Sequence, residues 1–180
     1  MDFHKIKLKF HFKSFVVDMR EAVKRELAKW LSGAERVVVV GIGNPIRMDD
    51  YVGIIVIRSL NERVSGRALL LECETVPENY IQQIVEFKPT HILLIDAAIL
   101  GLRPGEVELL EPKNIELSSA FSTHALPLKV FCEYLSRTTN AKILLLLIQP
   151  KKTDFGEGLT PEVLSSGIEI ADFLSKILPR

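Results

Sequence analysis

Gly41-Ile-Gly-Asn-Pro-Ile-Arg-Met-Asp49-Asp50 follows an apolar run, Val37 to Val40, and precedes an amphipathic segment, Val52 to Leu60. The order is strand, glycine-rich turn, paired acids, helix. A phosphate-binding turn in this position keeps its helix N-terminus clear for an anion. Here two carboxylates stand where a phosphate would go, so the arrangement suits a cation better than a nucleotide. The dinucleotide fingerprint also wants a third glycine at the position of Ile46, and Pro45 removes a backbone donor. A P-loop would open the helix with Gly-Lys-Ser/Thr, and none is present. One of the two acids is expected to cap the helix that follows, and a cap needs only one.

Outward from this turn, the chain alternates strand and helix signals. Short apolar runs at Val37–Ile42, Ala68–Leu71, His91–Asp96 and Lys142–Gln149 are continuous rather than alternating, the mark of strands buried on both faces. Segments of helical period lie between them, at Val52–Leu60, Asn79–Phe87 and Leu126–Leu135, and Pro161–Leu178 closes the series. Such alternation implies an α/β fold, a three-layer αβα sandwich around a twisted, mostly parallel sheet of about five strands. Glu106–Leu110, after the turn Arg103-Pro104-Gly105, reads as a further strand, antiparallel at an edge.

The 180 residues suffice for one domain with a proper core. Apolar residues make up 47%, and 23 acids balance 23 bases, so no global field draws the protein to nucleic acid or to a membrane surface. Two cysteines, Cys73 and Cys132, have neither disulfide-framework nor zinc-knuckle spacing. No leader pattern opens the chain, and no apolar run approaches the roughly 20 residues of a membrane span. A soluble protein of the reducing cytoplasm is expected.

Residues 1–34 read differently, as a strand-helix extension to a domain spanning 35–180. Lys5 to Lys13 alternates Lys or His with Ile6, Leu8, Phe10 and Phe12, which is strand period. Ser14 then stands as a cap for a helix with Val16, Met19, Val23, Leu27, Trp30 and Leu31 on one face. A basic, membrane-surface or partner-binding arm is one reading. The preferred one is packing on the domain or on a second copy in a homo-oligomer, because Asp18, Glu21 and Glu26 dilute the basic face.

In doubly wound sheets, ligands bind beyond the carboxyl ends of the strands, near the switch in strand order. Asp50 follows the first strand, Asp96 ends His91-Ile-Leu-Leu-Ile-Asp96, and His124 lies in Ser122-Thr-His-Ala-Leu-Pro127 before a helix. Two carboxylates and an imidazole from separate loops supply three ligands and leave positions open, which suits zinc or another borderline ion such as nickel. Taken singly, Asp96 is a turn cap and His124 a surface histidine; only their shared placement argues for a site. The nucleophile elbow and the His-Glu-x-x-His zincin motif are both absent, and Ser122 is no base-paired nucleophile merely by standing near His124. Cys132, among Leu128, Phe131 and Leu135, reads as core.

The ordered series Gly41-Ile-Gly-Asn-Pro45 with Asp49-Asp50, Val76-Pro-Glu-Asn79 and Pro89-Thr-His-Ile-Leu-Leu-Ile-Asp-Ala97 continues along the chain. It runs through Gly101-Leu-Arg-Pro-Gly-Glu106, Ser122-Thr-His124 with Leu126-Pro-Leu128, and Ile148-Gln-Pro150. From about Val37 to Leu178 it resembles the hydrogenase maturation endopeptidases, and within them the branch serving hydrogenase 3-type enzymes. The resemblance implies a cytoplasmic peptidase that trims the C-terminal extension of a [NiFe]-hydrogenase large-subunit precursor after nickel insertion. It also implies nickel ligation by the second acid of the pair, the strand-ending aspartate and the Thr-His histidine, hence Asp50, Asp96 and His124. The nickel is then either resident or supplied by the precursor, and zinc or another divalent ion is a candidate for the same place. Asp50 or Asp96 is the candidate general base. The rival readings are a non-enzymatic nickel sensor or maturation chaperone, and a nucleotide-binding domain.

Two departures from the family pattern stand out. Glycine commonly flanks the acidic pair on both sides, where this chain has Met48 and Tyr51. If either position needs positive φ, these residues are costly there. Glu72-Cys73-Glu74-Thr75 stands where the family often has an Asp-Gly-Gly-Ser/Thr-like turn. Glu72 and Glu74 are either extra carboxylates near the site or a solvated turn, and the turn is preferred.

Overall fold

A computed structural model describes residues 19–117 and 125–180. Five strands form one sheet: β1 (Val37–Ile42), β2 (Ala68–Glu74), β3 (His91–Ala97), β4 (Val107–Leu110) and β5 (Lys142–Ile148). Their spatial order is β2-β1-β3-β5-β4. β1, β2, β3 and β5 are parallel, and β4 pairs antiparallel with β5 at the edge. Among the described residues the α-helices are α1 (Glu21–Trp30), α2 (Val52–Leu60), α3 (Ile81–Phe87), α4 (Ala125–Thr139) and α5 (Pro161–Ile177).

The continuous apolar runs have the reason expected of them. Val37 and Val39 face one core with α1, α2 and α5, while Val38 and Val40 face a second with α3 and α4. All four valines are fully buried. A strand covered on both sides cannot alternate polar and apolar residues without burying unpaired polar groups.

Several expected boundaries move. The segment from Asn79 divides into a 3-10 turn, Pro77–Tyr80, and then α3. Pro77 fixes φ at the start of that turn, and its missing N–H costs nothing there. α4 extends the expected helix at both ends. The helix carrying Leu27 begins at Glu21, with Arg20 in the capping position and no side-chain cap. The strand expected over residues 5–13 and the Ser14 cap lie outside the described residues.

α1 is not a free arm. Met19, Leu27 and Leu31 are buried in the same core as α2 and α5, with Val23 and Trp30 packed beside them. The Met19 N–H donates to Glu169 of α5 at 2.8 Å, and Lys24 pairs with the same carboxylate at 3.0 Å. No described helix is long and apolar enough to cross a membrane.

The chain runs from β1 outward to β2, then returns across β1 to place β3 on its other side. The switch in strand order therefore lies between β1 and β3, and a crevice is expected beyond their carboxyl ends.

Candidate active site

Asp50 and Asp96 come together at that switch. Asp96 is the sixth residue of β3, partly exposed where the strand leaves the sheet. Its Oδ1 accepts the Ala97 N–H at 2.8 Å. Asp50 stands in the 3-10 turn Met48–Tyr51 that leads into α2, and its Oδ2 accepts the Asn44 N–H at 3.2 Å. Burial pushes the Asp96 carboxyl up to about 8, the nearby Asp50 charge adds to the rise, and the Ala97 amide works against it. Two carboxylates forced into proximity repel unless a proton or a cation lies between them. The donor set therefore fits a divalent ion, with oxygen ligands from two elements.

His124 lies outside the described residues, so its distance from the two acids is not part of this geometry. It immediately precedes α4, which runs back toward the amino ends of the strands to enter β5. Among the described residues no third His, Cys, Asp or Glu completes a metal-binding group with the pair.

Asp49 does something else. Neither acid caps a helix: the turn and α2 both start without a side-chain cap. Asp49 is fully buried and reaches instead across the fold to the segment after β5. Its Oδ2 accepts the N–H groups of Lys151 and Lys152, each at 2.9 Å, and the Thr160 hydroxyl at 2.9 Å. Its Oδ1 accepts the Thr160 N–H at 2.6 Å. Backbone bonds continue the seam, from Asp49 N to Lys152 O, from Met48 N to Gly156 O and from Gly156 N to Ile46 O. The paired acids thus divide the work: Asp50 lies near Asp96, and Asp49 ties the turn after β1 to the loop after β5. Sequence reasoning missed this role, since the only local signal was a second acid with nothing to do.

Hydrogenase maturation proteases, as a family model, match residues 54–177. A Methanocaldococcus jannaschii protein that bears the name of a hydrogenase maturation protease is 37% identical over 164 residues, covering 87% of this chain and 96% of its own. The chain belongs to the hydrogenase maturation protease family. The hydrogenase 3 maturation protease of Escherichia coli K12 is 29% identical over 126 residues, covering 70% of this chain and 80% of that protein. In three dimensions the crystal structure of HycI, a [NiFe] hydrogenase maturation protease from Thermococcus kodakarensis, superposes with a TM-score of 0.79 at 34% identity. That superposition covers 85% of this chain and 98% of HycI.

As a maturation protease the chain carries unusual residues in its turns. Met48 has φ 45° and Glu74 φ 46°, both left-handed, so two positions where glycine is the easier residue hold side chains. Tyr51, at φ −82°, meets no such cost. Glu72 is held by Arg58 at 2.9 Å, and Glu74 is exposed, its carbonyl accepting the Gly43 N–H at 2.9 Å. Both glutamates lie in β2 rather than in a turn: Glu72 belongs to an ion pair, and Glu74 is the exposed last residue of the strand. A further glycine governs the site's shape. A Cβ on Gly53 would run into the Ile42 and Ile95 carbonyl oxygens, so only glycine lets α2 start this close to both strands.

The remaining reactive groups stand apart from the acids. Cys73 and Cys132 are buried, and burial holds both thiols up at about 12, where the thiolate is suppressed. His91 is buried at the opposite, amino end of β3. Its Nδ1 lies 3.0 Å from Thr90 Oγ1, and its ring sits edge-to-face on Trp30 at 4.9 Å. It joins α1 to the sheet. Gln149 is a further buried polar group near the carboxyl edge. Its Oε1 accepts the Leu100 and Leu102 N–H groups at 2.7 and 3.3 Å, shaping the loop that follows Asp96.

Proposed function

We propose that this maturation protease removes the C-terminal extension of a [NiFe]-hydrogenase large-subunit precursor once nickel is in place. Asp50, Asp96 and His124 meet the nickel that the precursor carries. The observation that carries this reading is the pairing of Asp50 and Asp96 at the switch between β1 and β3. Two carboxylates sharing one crevice gain most from a divalent ion, and a neutral imidazole is a good third ligand for nickel.

The metal serves as recognition handle: its open positions bring the precursor's tail to the crevice. The two acids are also the groups able to take a proton from an attacking water. The buried thiols make cysteine attack a poor alternative.

Incubation with nickel-loaded and nickel-free precursor, followed by mass measurement of the precursor's C-terminus, tests the proposal. Wild type should shorten only the loaded form. Asp50→Asn, Asp96→Asn and His124→Ala should each lower the rate by about a hundredfold or more, the scale of lost metal ligands or a lost base. Undiminished cutting of nickel-free precursor by the three variants would refute both the site and the nickel requirement. Loaded precursor bound tightly by wild type but never cut would identify a chaperone instead.

A further inference from the structure

Six large hydrophobic side chains are exposed among the described residues, and four of them lie on loops at the carboxyl edge: Ile46, Val76, Ile99 and Phe155. Phe155 is 78% exposed and Ile46 55%. Exposed phenylalanine on a floppy loop would mean little. Here the exposure is held in place. The bonds between Gly156 and both Ile46 and Met48 fix the turn after β1 against the loop after β5, and Asp49 anchors the same loop at Lys151, Lys152 and Thr160. Arg47 lies over the Phe155 ring, its guanidinium carbon 5.4 Å from the centroid. The result is a fixed apolar wall of mixed charge: Arg47 beside Phe155 and exposed Lys152 at the base of the loop, with exposed Asp154 and Glu157 on the same loop.

This wall is continuous with the acid pair. The Asp50 N–H donates to the Arg47 carbonyl at 3.1 Å, so Arg47 and Asp50 bracket a single tight turn. The ends of such a turn lie within about 7 Å, the span of about two residues of extended peptide. A peptide with its scissile bond at Asp50 and Asp96 therefore lays residues two to four positions away along Ile46, Arg47 and Phe155.

On the basis of the function proposed above, we infer that Phe155, Ile46 and Arg47 form a specificity wall for the precursor's C-terminal extension. The extension enters as an extended segment. It sets an apolar side chain against Phe155 and Ile46, and carbonyl or carboxylate oxygens against Arg47 and Lys152. The placement supports this occupant. The acid pair takes the metal, and the apolar wall joined to it through the Arg47–Asp50 turn takes the chain beyond it.

Phe155→Ala, Phe155→Leu and wild type are compared by initial rates on nickel-loaded precursor across a range of concentrations. Binding is measured to the precursor and to the same subunit already lacking its extension. Phe155 is solvent-exposed, so its variants keep the fold, which circular dichroism checks. The Ala variant should raise KM about tenfold with kcat nearly unchanged, the usual scale for an aromatic anchor, and Leu should restore most of the loss. Binding to the precursor should weaken and binding to the shortened subunit should not. An unchanged KM, a fall in kcat alone, or equal weakening toward both subunits overturns the wall. Wild type that leaves loaded precursor uncut overturns the underlying function, a result the variants do not imitate.

Discussion

Asp49 shows how one carboxylate can shape a site without entering it. It satisfies three backbone N–H groups and one hydroxyl from within the fold. Asp49→Ala leaves those donors without an acceptor and should lower stability by about 3 kcal/mol, with Asp49→Asn costing less because one oxygen remains. Chemical denaturation of the two variants against wild type measures the difference. Asp96 makes the opposite contribution. Its carboxyl, ordinarily near 3.8, keeps its proton up to about 8 in the folded state. Between those values the native state binds more protons than the unfolded chain, so stability falls as pH rises through the window. The contribution is complete below the ordinary carboxylate range and lost above about 8. Asp96→Asn should flatten that decline, and thermal unfolding of the metal-free protein from pH 4 to 9 will show it. A steeper decline in the variant would mean that another group governs the window.

The strands were legible from sequence because burial on both faces leaves a continuous apolar run with few alternative readings. β1 begins and ends where the run does, and Asp96 was placed by the end of β3. The helix caps were not legible: an acid before a helix is a local signal, yet here Asp49 answers to donors far along the chain. Backbone N–H groups look alike in every sequence, so nothing in Lys151, Lys152 or Thr160 announces a buried partner. At this scale α1 also differs from a loose arm. Leu27 is fully buried in the core shared with α2 and α5. Leu27→Ala should cost about 2–5 kcal/mol, as leucine truncations in packed cores do. Deleting residues 1–34 should likewise lower the melting temperature far more than it lowers cleavage by the protein that stays folded. Cleavage lost from a deletion variant of unchanged melting temperature would instead place the arm in substrate recognition.

For the molecule as a whole, the crevice belongs to no single stretch of chain. Asp50 follows β1, Asp96 lies near the end of β3, and the wall beside Asp50 is held from the segment after β5. The family resemblance and the strand-end rule converge on Asp50 and Asp96 for different reasons, one from ordered motifs and one from topology. The wall came only from three-dimensional structure, because Ile46 and Phe155 are separated by most of the domain. The Asp49 seam has a further consequence, in time rather than in space. Its bonds join residues 102, 103 and 111 positions apart. Contacts of such long range form late, since the loop between them must be closed first. A nascent chain emerging from the ribosome can complete β1 and β3, and so bring its acids together, well before Thr160 exists. It cannot yet hold the wall beside them. A peptidase built in this order gains its grip on other polypeptides only after Thr160 has been made, when its two acids are already together.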